Sequence, residues 1–252
     1  MVENKKDNLL DKSLKIIRCF LDVNNLWGVR ELSSYLGYSV PTTHRILQQL
    51  KNHYILDFDE ERQKYIIGNE LIRMGSKVSE MSDVTKIAKP YLEKLSFKYE
   101  ENICLLLLRK NEFKLLWAYK QSGTQPLQYK IPIGELQTLP YGSSGKSILA
   151  HLDKNYVNYV IDEEGFSKND KEKLLLQLNE INNSGYAYSI SERLEGSSGI
   201  ASAIFNAENE PIGSILLTAP SPRVTDEVIK KASADIIEAT TEISRILGST
   251  KI

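Results

Sequence analysis

Histidine and cysteine are the scarcest chemistry-bearing residues in this chain, with three and two copies among 252 residues. His44 and His53 fall in the first third and His151 stands alone, so the histidines cannot by themselves assemble a typical zinc site, although acids could complete one, and no metal is expected. Cys19 and Cys104 lie far apart inside apolar runs, which excludes a short redox or metal motif and leaves two buried reduced thiols as the expectation. An excess of charge of one sign is also missing. Lys+Arg 32 against Asp+Glu 33 gives a net charge of −1, which argues against a histone-like protein working through bulk charge. No stretch approaches the ~20 consecutive apolar residues that cross a bilayer. Met1 to Asp11 is polar (Val2, Glu3, Asn4, Lys5, Lys6, Asp7) and lacks the apolar core of a secretory signal. A cytoplasmic protein without a membrane partner is expected.

What is present has the length of two ordinary domains. From Asp11 to Leu21 the apolar residues Leu14, Ile16, Ile17, Cys19, Phe20 and Leu21 recur at helical spacing. Val29 to Leu36 fits a second helix, closed by Gly37, which can take the left-handed conformation of a sharp turn. Ser39 then fits an N-cap and Pro41 the first turn of a third helix running to about Asn52. Three short helices with a tight glycine turn between the last two suggest a helix-turn-helix. Tyr54 to Leu56 and Tyr65 to Gly68, around a polar turn at Asp57 to Gln63, read as a hairpin or wing.

Helical periodicity continues from Asn69 to about Val84, with Leu71, Ile72, Met74 and Val78, and again from Thr85 to Tyr99. A domain boundary is expected between these two helices. Beyond Glu101 the texture changes to apolar runs at Ile103 to Leu108 and Phe113 to Tyr119. Further strands fit Tyr186 to Ile190, Ile200 to Phe205 and Ile212 to Thr218. Helices fit Gly145 to Leu152, Lys154 to Ile161, Lys171 to Ser184 and Thr225 to Leu247. The mixture predicts an α+β protein, its second part an antiparallel sheet with packed helices.

At about 100° per residue, Thr43, Ile46, Leu47 and Leu50 share one face of the third helix. Pro41, Arg45, Gln48 and Asn52 project opposite, with His44 and Gln49 on the shoulders. Arg, Gln and Asn are the side chains that make bidentate contacts with base edges. No Asp or Glu occurs from Leu32 through Leu56, where phosphates would lie. Residues 1–68 are nearly balanced in charge, so a dimer contributing two reading helices is expected.

Leu14-Lys15-Ile16-Ile17 ahead of Arg30-Glu31-Leu32, then Gly37, Thr42-Thr43-His44-Arg45-Ile46-Leu47, and Tyr65-Ile66-Ile67-Gly68 with Leu71 and Met74-Gly75 resemble the DNA-binding domain of IclR-type transcriptional regulators. The His-Arg-aliphatic-Leu string is the more specific part. His53 departs from the glycine that this family commonly has before the wing. The resemblance continues through Ile133-Gly134, Leu139, Gly145-Lys146, Leu149-Ala150, Gly185-Tyr186-Ala187, Glu192, Gly196, Ile200-Ala201, Ile204-Phe205 and Pro220.

It implies a winged helix-turn-helix domain over 1–68, a linker helix over 69–84, and a GAF- or PAS-like effector-binding and oligomerisation domain over 85–252. The implied contacts to double-stranded operator DNA come from Ser39, Pro41, Thr42, His44, Arg45, Gln48, Gln49 and Lys51. The implied effector pocket takes Ser143, Ser144, Ser189, Gly199, Leu216 and Thr218. A repressor responding to a small metabolite such as an organic acid, assembled as a homodimer or dimer of dimers, is expected, with no cofactor and no catalysis. The alternative is a sensor that docks a protein partner through the same winged helix.

Tyr141 to Ser147 superficially suggests a phosphate loop, but that motif needs Gly where this chain has Pro140. Its residues fit a helix N-terminus open to an anion such as a carboxylate, or a plain helix start capped by Ser144. Ser143 or Ser144 near Lys146 makes a poor nucleophile pair, since a lysine in the first turn normally points to solvent or phosphate. Relatives frequently carry an acidic run after Gly185-Tyr186-Ala187, whereas here Tyr188-Ser189-Ile190-Ser191 retains only Glu192. Trp117 and Tyr119, read as lying on one strand face, fit core packing better than stacking on a ligand.

Overall fold

The computed structural model describes residues 7–81 and 83–251. The polar start read at Val2 to Lys6, Ser82 within the expected linker, and the side chain of Val78 lie outside the described residues. The chain divides into two compact units, Met1–Met81 and Ser82–Ile252. No helix among the described residues is long and apolar enough to cross a membrane.

In the first unit, α1 (Leu9–Arg18) starts two residues before the expected Asp11. Asn8 supplies the reason: its side chain accepts the Asp11 N–H at 3.0 Å while the Asp11 carboxylate accepts the Asn8 N–H at 3.1 Å. A π-turn over Cys19–Val23 ends the helix. The expected apolar stripe splits there: Ile16, Cys19 and Phe20 are buried, whereas Leu14 and Leu21 are exposed together with Leu9 and Leu10. After β1 (Leu26–Trp27), α2 (Val29–Leu36) ends at Gly37, whose φ of 67° is left-handed, and α3 (Val40–Asn52) follows. β2 (Leu56–Asp59) and β3 (Lys64–Ile67) form an antiparallel sheet in the order β1-β3-β2, and α4 spans Asn69–Met81. Leu32, Ile46, Leu47, Leu56 and Tyr65 complete the core around Trp27.

The hairpin is displaced from its expected position. Tyr54 is not in a strand but turns the chain at φ 57°, and it, not His53, takes the left-handed conformation. The first arm is Leu56–Asp59, where Leu56 and Phe58 face inward beside Ile67 and Tyr65 and the two aspartates alternate outward. Of the acids read as a turn, Asp57 and Asp59 alternate with Leu56 and Phe58 along the strand, whereas Glu60 and Glu61 lie in the turn as expected. β1 went unforeseen because two residues carry no periodicity.

The second unit is a six-stranded antiparallel sheet in the order β6-β5-β4-β9-β8-β7. Its strands are β4 (Asn102–Arg109), β5 (Lys114–Gln121), β6 (Leu136–Thr138), β7 (Ala187–Ile190), β8 (Ser197–Phe205) and β9 (Pro211–Pro220). One face packs α5 (Asp83–Tyr99) and α9 (Asp226–Ile246) through Ile103, Leu105, Ile215 and Leu217 against Leu92, Leu95, Ile236 and Ile243. The other packs α6 (Gly142–Leu149), α7 (Lys154–Glu163) and α8 (Lys168–Ser184) through Cys104, Leu106, Leu115 and Leu216. Helices on both faces explain why Ile103 to Leu108 is apolar without alternation. A bulge makes Leu105 pair with Tyr119 but Leu106 with Trp117. The irregularity sends Trp117 to the α6 face and Tyr119 to the α5 face, which corrects their expected placement on one face.

His151 follows α6 and meets the edge of the Phe205 ring at 5.0 Å, with Lys251 Nζ 3.2 Å from Nδ1. Burial, and then the Lys251 charge, push its pKa down to about 4 from 6.5. Between those values the unfolded chain binds a proton that the folded chain refuses, so stability falls as pH drops from about 6.5 to about 4. Urea midpoints of His151→Phe across this range are expected to fall less steeply than those of the parent; parallel curves would contradict it.

Candidate functional site

Each unit presents one group of polar side chains. In the first, the turn into α3 is built by local chemistry. The Ser39 hydroxyl caps the helix by accepting the Thr42 N–H at 3.4 Å and donates to Thr42 Oγ1 at 2.8 Å. Pro41 sits in the first turn, and no acid occurs there. Thr43, Ile46 and Leu47 are buried, which fixes the opposite face outward. Pro41, His44, Arg45, Gln49 and Asn52 are exposed, and Thr42, Gln48 and Lys51 are half-buried. The side chains of Arg45, His44 and Gln49 form no hydrogen bond or ion pair within the described residues.

Gln48 differs from the expectation of an outward-facing reader. Its Nε2 donates to the Tyr65 hydroxyl at 2.8 Å, tying the middle of α3 to β3. Lys51 lies with Nζ 5.2 Å from the Phe58 ring centre, over the hairpin. These two side chains brace the helix against the wing, and the free donors on the described part of α3 include those of His44, Arg45, Gln49 and Asn52.

In the second unit, a cavity of about 430 Å³ opens between the sheet and the start of α6. It brings together all six expected residues: Ser143, Ser144, Ser189, Gly199, Leu216 and Thr218. Sheet register explains three of them. Ser189 pairs with Gly199 and Gly199 with Thr218, so one row crosses β7, β8 and β9. Leu216, two residues along β9, falls on the same face. Gly199 leaves the space open: a Cβ there would come within 2.5 Å of Ser143 Oγ.

The helix start closes the row, and its capping differs from what the sequence suggested. Ser144 is not the cap, because α6 begins at Gly142 and Ser144 lies inside it. The N–H of Gly142 donates to Glu192 Oε2 and that of Ser143 to Ser189 Oγ, both at 2.9 Å. Glu192 is therefore an internal anion on the positive end of the helix. Its other oxygen pairs with Lys146 Nζ at 2.6 Å, and Lys146 also donates to Gln177 at 2.9 Å. Lys146 is 6% exposed, so the expectation that it reaches solvent or phosphate is corrected. All eight residues of α6 are buried, and a charge on a helix without a solvent-exposed face needs a partner.

Sequence reasoning missed Gln137, whose Nε2 donates to Ser144 Oγ at 2.9 Å, and Arg193, whose Nε donates to the Tyr141 carbonyl at 2.9 Å. A single amide between Leu136 and Leu139 was the available signal for the first. Two buried polar atoms in the cavity wall have no partner, Ser143 Oγ and Gln137 Oε1. Trp117 also lines the cavity. Among the described residues no group of His, Cys, Asp and Glu is arranged to hold a metal.

The sequence model described as the bacterial transcriptional regulator IclR C-terminal domain matches residues 76–245, and that of the IclR helix-turn-helix domain matches residues 9–60. The chain is 28% identical over 255 residues to the HTH-type transcriptional regulator KipR of Bacillus subtilis (strain 168), covering 99% of this chain and 100% of KipR. It is 22% identical to the transcriptional repressor IclR of Escherichia coli (strain K12), over 96% of this chain and 90% of that protein. The crystal structure of an IclR transcriptional regulator from Alicyclobacillus acidocaldarius superposes with a TM-score of 0.86 at 19% identity, covering 97% of this chain and 100% of the other.

A buried hydroxyl without a partner costs about 1–3 kcal/mol, whereas stripping a buried ion of its partner costs roughly 3–5 kcal/mol. Ser143→Ala is therefore expected to leave the unfolding free energy of the ligand-free chain unchanged or raised by about 1 kcal/mol. Lys146→Met should lower it by about 3 kcal/mol, the smaller end because the Glu192 side chain retains 28% of its exposure. Urea denaturation of the two variants checks the contrast.

Proposed function

Because the chain belongs to the IclR family of bacterial transcriptional regulators, we propose that it is a repressor whose hold on operator DNA is set by a small molecule in the second-unit cavity. It is a regulator and not an enzyme, and its helix-turn-helix unit is the DNA-binding part. The observation that carries the proposal is the exposed, unpaired face of α3, where Arg45, His44 and Gln49 stand free on a helix whose other face is locked in a core. Similarity to the transcriptional repressor IclR of Escherichia coli supports repression as the direction of control.

In this reading α3 enters the major groove. Arg45 and Gln49 reach base edges, and Ser39, Pro41, Thr42, His44 and Lys51 fix its position at the backbone and the groove wall. Gln48 contributes by holding the helix to the wing. The exposed Leu9, Leu10, Leu14 and Leu21 on and just after α1 favour a homodimer that pairs two such helices on a near-palindromic site, and further pairing would give a dimer of dimers. The working location is the cytoplasm, where operator DNA lies.

Residues 1–68 form the DNA-binding part and residues 85–252 the sensing part, with residues 69–84 linking them in sequence. Ser143, Ser144, Ser189, Gly199, Leu216 and Thr218 contact the effector. Occupancy changes DNA affinity only to the extent that the effector binds one arrangement of the dimer more tightly than another.

Selection of genomic fragments on the purified chain should recover an operator, with affinity that falls steeply as salt rises. On that operator Arg45→Ala is expected to lose about 1–3 kcal/mol of binding and to relax preference at one base pair, read by titration of single-base variants. Uniform weakening on every sequence would make Arg45 a phosphate contact, and absence of binding to any fragment at low salt would overturn the proposal.

A further inference from the structure

We propose that the ligand of the second-unit cavity is an uncharged polyhydroxylated molecule, a sugar or polyol, and not a carboxylic acid; this rests on the reading of that cavity as the effector site. The feature that would attract a carboxylate is already occupied. The first two N–H groups of α6 are taken by Glu192 Oε2 and Ser189 Oγ at 2.9 Å. A second carboxylate entering here would find those two donors already used.

Of the other charged residues on the wall, Lys130 and Glu135 are of opposite sign, and the guanidinium of Arg193 is engaged by the carbonyls of Tyr141 and Thr138. The Lys146 ammonium is turned into its pair with Glu192 and into Gln177.

The unused groups at depth specify the complement. Gln137 is 7% exposed and its Oε1, with Nε2 donating to Ser144, can only accept. Whatever fills that position must donate a proton, which a carboxylate at neutral pH cannot do. Ser143 is 2% exposed and its unpartnered Oγ can both donate and accept. Two neighbouring hydroxyl groups on one ligand meet both demands, one donating to Gln137 and the other exchanging a hydrogen bond with Ser143. Ser189, Thr138 and Thr218 add further hydroxyls. The Trp117 ring and Leu216 give an apolar wall for the C–H face of a sugar ring. A cavity of about 430 Å³ falls within the range of small-molecule sites.

The test uses the full chain and matched pairs: D-ribose, D-xylose, D-glucose and D-galactose against their aldonates, with myo-inositol as a further neutral probe, each followed by thermal shift and titration calorimetry. At least one neutral compound is expected to raise the melting temperature, with its aldonate binding at least tenfold more weakly. Gln137→Leu should weaken the neutral compound at least tenfold. A panel in which no neutral member binds, or in which an aldonate binds as well as its sugar, overturns the ligand class.

The two readings fail differently. Gly199→Val and Leu216→Phe fill the cavity, and whichever retains the parent's circular dichroism serves as the control. An aldonate that binds the parent but not this control overturns the ligand class and leaves the effector site standing. Any probe that binds parent and control equally overturns the effector site itself.

Discussion

Glu192 joins two parts of the second unit that the chain order keeps apart. One carboxylate oxygen accepts the first N–H of α6 and the other meets the Lys146 ammonium one turn further on. A helix with no solvent-exposed face thus receives its cap and its counter-charge from a single side chain on the loop after β7. Ser189, three residues earlier, takes the next N–H of the helix. The wall of the cavity is therefore assembled by contacts across the sheet-to-helix junction rather than within either element, and its polarity is decided there.

Once the helix end is satisfied internally, the uncharged polar groups of the cavity wall are mainly hydroxyls and the amide of Gln137, beside the charged Lys130, Glu135, Glu192 and Arg193. Two of these atoms are left without partners, which is a cost to the fold that a well-packed core would avoid. Gly199 contributes by absence, because a methyl group at that point of β8 would meet the Ser143 hydroxyl. The same trade between packing and function appears in the first unit, where α3 keeps one face locked and the other unpaired.

Parts of this were legible in the sequence for physical reasons. Gly37, Ser39 and Pro41 carry backbone requirements that specify a turn and a helix start, and Thr43, Ile46 and Leu47 specify which face packs. The six cavity residues came from resemblance, since Ser189, Gly199 and Thr218 become neighbours only through strand register. Elsewhere local cues misled. Asp57 and Asp59 resembled a turn because a strand with one wet face carries acids at every second position. Lys146 resembled a solvent-facing lysine because its partner lies far along the chain. The bulge that separates Trp117 from Tyr119 depends on the pairing of β4 with β5, which one strand read alone does not reveal. β1 and β6, of two and three residues, are held by their neighbours rather than by any periodicity of their own.

The two tryptophans are divided one to each unit. Trp27 donates its indole N–H to the Cys19 carbonyl in the first core, while Trp117 borders the cavity. The chain thereby contains two native fluorophores in unrelated surroundings. Quenching by a molecule lodged in the cavity would dim one emission and spare the other, so occupancy and the integrity of the helical unit can be followed in the same cuvette without an added dye.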